Sequence, residues 1–546
     1  QVFRERTGRC TSRVPFPHAG CEFGEDAVTF KRQDVWNLGD GWSDPLVWYA
    51  KGVRKLRERP LADSTSWRFL AAMHGFDPEV WKKYGYYDPA EQMPSNADRS
   101  RYWSQCQHQS WYFLPWHRGY LASFEAIVRA AIVAEGGPSS WALPYWNYNS
   151  AKRRANELPP AFAARKMPDG SDNPLLVKQR YGDGTGRIVL DRARDIRLDA
   201  LGDDRFPGGE NAIPPGFGGP KTLFHHGGED RAPNGGLEGS PHNAVHGLVG
   251  GTQRGHDQND PASGGLMGWP DQAALDPIFW LHHANIDRLW ESWRKGVPGA
   301  DPNDVKWLDG PAAKPFFVPK PDGQPWKFSA RQMLDTKSAE LNYEYEELTP
   351  LPPSRRRRRL EELAPAVVAQ AGEEAIMVTG QDKPAEMIGS NERVVDLSGG
   401  NVDTHVRLAQ TGMEAVASSR ELSFGDARIE PDRVFLKLEN VRGGNDAAVF
   451  YVYVGLPEGA DPEQHPENLA GTLSFFGVSK ASAPSGGGGN GLDQVFEITH
   501  LVDSLHARGD LAAVENLPVR FVPRPGYTMP LGGLSVGRVT IFRQPQ

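Results

Sequence analysis

Cysteine is scarce in this sequence, with three residues among 546. Cys10 and Cys21 lie close together in a turn-rich N-terminal stretch, so we expect a disulfide between them. A disulfide indicates an oxidising compartment, and the sequence therefore favours a secreted or periplasmic location over a cytoplasmic one. No signal peptide is visible, and the first residues, QVFRERTGRC, suit a mature terminus left after processing.

Long apolar runs and an excess of basic residues are also missing. No stretch of about 18 apolar residues occurs, so we expect no membrane span. The formal net charge is -8 and the pI is about 6.1, which argues against nucleic acid as a partner because that partner favours a basic surface. The one basic run, Arg355–Arg359, is expected to be a solvated linker.

The periodicity of the sequence changes along the chain and predicts more than one domain. A length of 546 residues is too great for one ordinary core. Residues 1–350 carry helical patterns, residues 351–385 are rich in proline, arginine and alanine, and residues 386–546 alternate with a period of two, as in RVFLKLENV. We therefore predict a mainly α-helical four-helix-bundle domain, a linker and an all-β sandwich. Whether the chain forms a homo-oligomer stays open.

Histidines carry the chemical signal of the first 350 residues. Seven of the 15 histidines lie in or beside predicted helices: His74, His108, His117, His242, His246, His282 and His283. In SPHNAVHGLVGG, His242 and His246 are one helical turn apart and can share a face. His282 and His283 differ by about 100° around their helix, so only one of them can face the core. The sequence thus supplies three inward imidazoles from each half of the domain.

Two sets of three neutral imidazoles predict a metal centre with two ions. Three imidazoles leave open positions on copper or zinc. No Glu-x-x-His pattern occurs on these helices, which disfavours a carboxylate di-iron bundle. An ordinary polar helix face for His242 and His246 stays open as an alternative, and so does a zinc hydrolase. The adjacent pair His225 and His226 is a weaker candidate for a second metal-binding or substrate-facing feature.

Five segments resemble the type-3 copper family, which includes tyrosinases, catechol oxidases and molluscan-type haemocyanins. These segments are SWRFLAAMHG, HQSWYFLPWHRGYLASFEAIVR, LPYWNY, SPHNAVHGLVGG and DPIFWLHHANIDRLWESW, and the likeness covers about residues 25–350. The resemblance implies two copper ions that share dioxygen. Its implied ligands are His74, His108 and His117 for the first copper and His242, His246 and His283 for the second. It also selects His283 over His282.

The resemblance implies further residues at the site. Cys106, in CQH, would be joined to His108 by a thioether. Glu238 and Asn243 would order a water that deprotonates a bound monophenol.

Other residues would close the domain or gate the pocket. The motif NYEYEE resembles the tyrosine motif that ends the family's catalytic domain, so Tyr343 and Tyr345, with Arg32 as their partner, are expected to be structural. A residue that gates the second copper is expected near Pro270, with Trp269 and Met267 as alternatives, and we leave it unassigned.

Membership of this family would make the protein an enzyme that oxidises small phenols with dioxygen. It would ortho-hydroxylate monophenols and oxidise o-diphenols to o-quinones. The alternatives are a catechol oxidase or an o-aminophenol oxidase without monophenolase activity, and a haemocyanin-like oxygen carrier.

The C-terminal sandwich is similar to the shielding domain of latent plant polyphenol oxidases. We therefore expect it to lay a loop across the copper pocket, and we expect the arginine-rich linker to be the place of proteolytic release. The competing interpretation is an oligomerisation or solubility module.

Overall fold

The computed structural model describes residues 29–226, 232–254, 263–297, 299, 301–363, 383–423, 431–484, 489–509, 516–526 and 533–546. The predicted Cys10–Cys21 disulfide and most of the predicted linker lie outside these residues. Within the ranges given, none of the helices combines the length and the apolar character that a bilayer-spanning segment needs.

The described residues between 29 and 350 are mainly helical, as the sequence predicted. The helices are α1 (Asp44–Glu58), α2 (Trp67–His74), α3 (Pro78–Lys83), α4 (Asn96–Tyr102), α5 (Phe113–Ala134), α6 (Ala244–Gly250), α7 (Pro277–Gly296) and α8 (Val305–Leu308). Short strands accompany them: β1 (Phe30–Arg32), β2 (Phe316–Pro319), β3 (Pro325–Phe328) and β4 (Tyr343–Tyr345). The described residues between α5 and α6 form short helical turns and isolated bridges.

Two long helices form the centre of this domain. Helix α7 begins at Pro277, where the Asp276 side chain accepts a hydrogen bond from the Ile278 N–H at 3.0 Å and so caps the first turn. Helix α5 is almost wholly buried, and it packs against α7 with the rings of Phe124 and Trp280 stacked at 3.5 Å between centroids. Burial on all sides explains why α5 is apolar beyond a single stripe.

The C-terminal part is a β-rich domain, which confirms the predicted class. Its strands are β5 (Glu386–Ser390), β6 (Val395–Asp396), β7 (Val402–Leu408), β8 (Arg433–Arg442), β9 (Val449–Val454), β10 (Leu469–Ser474), β11 (Leu492–Glu497), β12 (Asn516–Pro523) and β13 (Ser535–Gln544). They form one nine-stranded sheet in the order β10-β9-β12-β7-β5-β13-β8-β11, with β6 paired to β13. The sheet nearly closes on itself, since Gly471 of one end strand lies against the ring of Phe496 of the other.

Helices interrupt and precede this sheet. Three of them were not expected from the period-two pattern: α10 (Gln410–Ser423), α11 (Val478–Ser482) and α12 (Thr499–Ala507). Helix α9 (Arg355–Leu363) contains the arginine run. The expectation that this run is solvated is wrong for Arg355 and Arg359, whose side chains are only 24% and 11% exposed and pair with Glu497 and Asp503. These two arginines are partly buried because they pair with carboxylates of the folded C-terminal domain. The local composition of the run does not reveal those partners.

Candidate metal centre

Six histidine rings converge inside the helical domain, and all of them are buried. His74 ends α2, His117 lies in the second turn of α5, His246 lies in α6 and His283 lies in α7. His108 lies in the loop before α5, and His242 lies in a π-helical turn, Glu238–Asn243, that leads into α6. The rings of His117 and His283 stack at 4.5 Å between centroids, and those of His108 and His242 are 5.6 Å apart. The structure therefore brings together all six histidines that the resemblance implied.

The Nε2 atoms of these rings point at one another. His74 and His108 approach to 3.3 Å between their Nε2 atoms. The Nε2 of His283 lies 3.3 Å from that of His242 and 3.2 Å from that of His246. The buried Nε2 of His117 has no hydrogen-bond partner among the described residues.

The opposite nitrogen of five rings is held by an oxygen. The Nδ1 atoms of His74, His117 and His246 donate to the carbonyls of Pro270, Phe113 and Met267 at 2.8, 2.8 and 2.9 Å. The Nδ1 atoms of His108 and His242 lie 2.9 and 2.7 Å from side-chain oxygens of Glu238 and Asn243. Because a carbonyl oxygen only accepts, the rings of His74, His117, His242 and His246 carry the proton on Nδ1 and the lone pair on Nε2, and the ring of His108 does so opposite an ionised Glu238.

This arrangement fits metal ions bound by neutral imidazole. Two lone pairs that face each other at about 3.3 Å cannot hydrogen-bond to each other, whereas a cation between them would bind both. Burial lowers the pKa of all six histidines, to about 3 for His108, so the rings are neutral near pH 7. The potential ligand atoms of His242, His246, His282 and His283 lie within 4.8 Å of one another, as do those of His74, Cys106 and His108. Imidazole donors without a carboxylate suit copper.

His282 is buried as well, contrary to the expectation that only one of the adjacent pair faces the core. Helix α7 is surrounded by protein on all sides, so two neighbouring side chains can both be covered. The Nδ1 of His282 lies 3.4 Å from the hydroxyl of Tyr148, and its ring stacks on that of His242 at 5.4 Å between centroids. His283 lies at the centre of the cluster, with its Nε2 near those of both His242 and His246.

Glu238 and Asn243 occupy the two ends of the π-helical turn. The Glu238 carboxylate also accepts the Gln109 N–H, with both oxygens 2.9 Å from that nitrogen. Burial raises the pKa of Glu238 to about 8, while the hydrogen bond from Gln109 opposes this shift. A cation held by His108 would lower that pKa.

Cys106 lies behind the cluster. Its Sγ donates to the His74 carbonyl at 2.9 Å and lies 3.2 Å from the Nδ1 of His226. The Nδ1 of His226 also lies 2.9 Å from the Cys106 carbonyl oxygen. The Nδ1 of His225 lies 2.6 Å from the His108 carbonyl oxygen. The adjacent pair therefore fixes the loop that contains Cys106 and His108.

Arg32 lies among the aromatic residues that the sequence paired with it. Strand β1 runs parallel to β4, with Arg32 opposite Tyr345. The Arg32 guanidinium donates to the Tyr345 hydroxyl at 2.9 Å and stacks 3.6 Å from the centroid of the Tyr343 ring. Both tyrosines donate to Asp287 at 2.5 Å. Because Asp287 follows His283 by one turn of α7, this network positions the helix that carries a candidate ligand.

Sequence reasoning missed the residue that covers the site. Phe476, which follows β10, stacks on His246 at 4.2 Å between centroids and lies 5.9 Å from the rings of both His108 and His242. Gly477 follows with φ at +86°, a conformation that turns the chain away from the strand. The Phe-Phe-Gly sequence at the end of a predicted strand was the available signal.

A cavity of about 30 Å³ remains beside the covered rings. Its lining includes Glu238, Asn243 and His108 from the helical domain and Phe476 and Lys480 from the C-terminal domain. This volume has room for about one or two water molecules.

Comparisons with known proteins agree with this geometry. Residues 64–191 and 217–296 match the common central domain of tyrosinase, and residues 384–544 match a domain of unknown function, DUF7868. The chain is 31% identical over 528 residues to tyrosinase HcTyr1 of Hahella sp. (strain CCB-MM4), which covers 94% of this chain and 99% of that protein. A chloroplastic polyphenol oxidase of Malus domestica is 26% identical over 313 residues, which are 55% of this chain and 46% of that protein.

Two solved structures share the fold along nearly the whole chain. Latent apple tyrosinase aligns with a TM-score of 0.56 and 21% identity, covering 96% of this chain and 99% of that one. A recombinant latent aurone synthase (polyphenol oxidase) aligns with a TM-score of 0.57 and 19% identity, covering 96% and 91%. These alignments confirm a helical core followed by a β-rich domain.

Proposed function

Because this chain belongs to the tyrosinase family, we propose that it both ortho-hydroxylates monophenols and oxidises o-diphenols to o-quinones. Oxidation of phenols with dioxygen at a pair of copper ions is the chemistry of the family, and small phenols are the substrates. Hydroxylation of monophenols distinguishes this proposal from the second candidate, a catechol oxidase that accepts only diphenols.

We propose His74, His108 and His117 as ligands of the first copper and His242, His246 and His283 as ligands of the second. When bound, the two copper ions supply electron transfer between dioxygen and the phenol. The chain's own part is to hold the rings in place before metal arrives. Oxygen acceptors at five Nδ1 atoms fix the tautomer and the ring orientation.

The cavity shared by Glu238 and Asn243 carries the monophenolase proposal. The Asn243 side-chain oxygen already accepts from His242, which leaves its amide NH₂ to donate to a water. The Glu238 carboxylate lines the same cavity of about 30 Å³ and can accept from that water. A water held in this way can take the phenolic proton of a monophenol, which a diphenol oxidase does not need.

Oxygen uptake with tyrosine and with catechol tests this proposal. With the site uncovered by Phe476→Ala, we expect the copper-loaded protein to consume oxygen with both phenols, and a further Asn243→Ala to reduce the tyrosine rate about tenfold more than the catechol rate. Consumption with catechol only would demote the protein to a catechol oxidase. Reversible oxygen binding without turnover of either phenol would favour a haemocyanin-like carrier.

We further propose that the C-terminal domain shields the copper site and makes the full chain latent. The Phe476 ring stacks on His246 and so covers the second triad, which a phenol must reach. The Ser474 hydroxyl donates to the Asn243 carbonyl at 2.8 Å, so the covering strand is fixed beside the site.

A single substitution tests the shield. In the full chain, Phe476→Ala should raise catechol oxidation about tenfold or more, because a fully covered site is inaccessible in most molecules. Phe475→Leu is the matched control, since Phe475 points into the core of the C-terminal domain against Phe450. Unchanged turnover of Phe476→Ala would contradict the shield.

A secreted or periplasmic location is proposed on the strength of the Cys10–Cys21 pair. An alkylating reagent should leave Cys10 and Cys21 unlabelled in the unreduced protein and should label both residues once the protein has been reduced. Labelling of both residues before reduction would instead indicate a reducing compartment.

A further inference from the structure

Helix α9 belongs to the domain interface although it precedes the segment that connects the domains. Arg359 donates from Nε to Asp503 at 2.8 Å. Its Nη1 donates to the carbonyls of Pro431 and Asp432, each at 2.7 Å. Leu360 beside it is fully buried. A cut anywhere in residues 364–382 would therefore leave these contacts on the N-terminal fragment, still attached to the C-terminal domain.

Arg355 joins the two domains directly. Its guanidinium lies 3.1 Å from the Asp203 carboxylate and donates to the Asp199 carbonyl at 2.9 Å, both in the helical domain. The same guanidinium donates to Glu497 of β11 at 2.5 Å. Burial by itself would raise the pKa of Glu497. The positive charges of Arg433 and Arg355 outweigh burial and hold this pKa far below its usual value. Removing one partner of such a pair is costly while the domains stay together, because the remaining charge would be desolvated and unpaired.

A second anchor lies on another part of the interface. Asp195 of the helical domain accepts from the Tyr451 hydroxyl at 2.7 Å and from Arg524 at 3.1 Å. Arg524 also donates to the Val189 carbonyl at 2.8 Å. None of these contacts involves the connecting segment.

The centre of the interface is apolar and closely packed. Val449 and Phe476 are part of the large hydrophobic cluster of the helical domain. Gly247 of α6 lets strand β9 approach, since a Cβ there would lie 3.0 Å from Val449 and 3.2 Å from the Ala447 carbonyl oxygen. Apolar burial between charged anchors resembles a stable subunit interface.

We propose that the C-terminal domain remains bound to the catalytic domain as a non-covalent inhibitory subunit after the chain is cut between residues 363 and 383. The proposal rests on the shielding role of Phe476 for its effect on activity, but not for its effect on association. Cutting removes only the high effective concentration that the covalent connection supplies. Proteolysis alone therefore does not activate the enzyme, and the ionic anchors must also be weakened.

The experiment uses the full chain with a specific protease recognition sequence in place of residues 370–376. After cleavage and copper loading, size-exclusion chromatography at about 0.1 M salt reports association, and catechol oxidation reports activity. We expect the two fragments to co-elute at the size of the uncut chain, with a rate within about twofold of it. Raising the salt to about 1 M should separate them and increase the rate about tenfold.

Substitutions in helix α9 identify the anchors. Arg355→Met combined with Arg359→Met should allow the cut fragments to separate at low salt, with the same rise in rate. Arg357→Met is the control for each of these two substitutions made singly, because it also removes one positive charge from α9 and Arg357 pairs with Glu361 of the same helix. The control should co-elute as the unsubstituted protein does.

The outcomes distinguish this inference from the proposed shield. Separation of the unsubstituted fragments at low salt would overturn the inference, and a simultaneous rise in rate would leave the shield intact. Co-elution together with a large rise in rate would support the bound subunit and overturn the shield. Co-elution with a low rate supports both.

Discussion

The two histidine triads differ in how the chain builds them. His242 and His246 lie one turn apart in a continuous helical segment, whereas His74, His108 and His117 come from a helix end, a loop and a helix start. The helical spacing puts this pair on one face, and the oxygens of Asn243 and Met267 then fix the two rings. His108, the ligand in the loop, is oriented by the Glu238 side chain from another part of the chain. The geometry of the first site therefore depends on residues behind its ligands, here called outer partners.

Those outer partners differ in charge. His108 faces the carboxylate of Glu238, and His242 faces the amide of Asn243. A carboxylate strengthens the donor power of the opposite ring nitrogen more than an amide does. We therefore expect copper retention at the first site to depend more on its outer partner than retention at the second site.

The largest effect is expected from a ligand of the second triad. His283→Gln removes the Nε2 that lies nearest to both His242 and His246, so copper should fall from two ions to about one and catechol oxidation by on the order of 10³-fold. Metal analysis of the dialysed protein measures the loss. His282→Gln is the matched control and should keep both ions. If His283→Gln kept both and His282→Gln did not, the assignment of the second triad would be wrong.

A smaller effect is expected from the outer partners. Glu238→Gln keeps the shape of the side chain and removes its charge, so affinity for the first copper should fall by about 10- to 100-fold. Asn243→Ala should weaken the second copper by less. Competition with a chelator, followed through release of each ion, ranks the two variants. The reverse ranking would refute the contrast between carboxylate and amide.

The smallest effect is expected from Cys106. A thioether between Cys106 and His108 makes the peptide that contains both residues lighter by two hydrogens. Cys106→Ala should slow copper loading at the first triad by only about threefold, since Glu238 already orients the His108 ring. The second copper should load at the unsubstituted rate. Mass spectrometry of the copper-loaded protein measures the cross-link, and unaltered peptide masses would exclude it.

Local spacing predicted part of the candidate site, and the family resemblance supplied the rest of the ligand set, including His283 over His282. A spacing of four residues put His242 and His246 on one helical face, and Asp276 with Pro277 predicted the start of the helix that carries His283. The change from helical periodicity to alternation predicted the two fold classes. Each of these signals arises within about 20 residues of chain.

Contacts over long separations were beyond such reasoning. Phe476 meets His246 across 230 positions, and Arg355 meets Glu497 across 142. In both cases the local sequence describes an ordinary strand end or a basic run. Only packing of the C-terminal domain decides which face of a strand and which arginines of a helix are covered, so residues of this kind require the structure.

Copper content of the full chain tests the central claim most directly. After loading and removal of loosely bound metal, elemental analysis should find two copper ions per polypeptide, held by the six facing imidazoles. One ion or fewer in folded protein would contradict a binuclear centre.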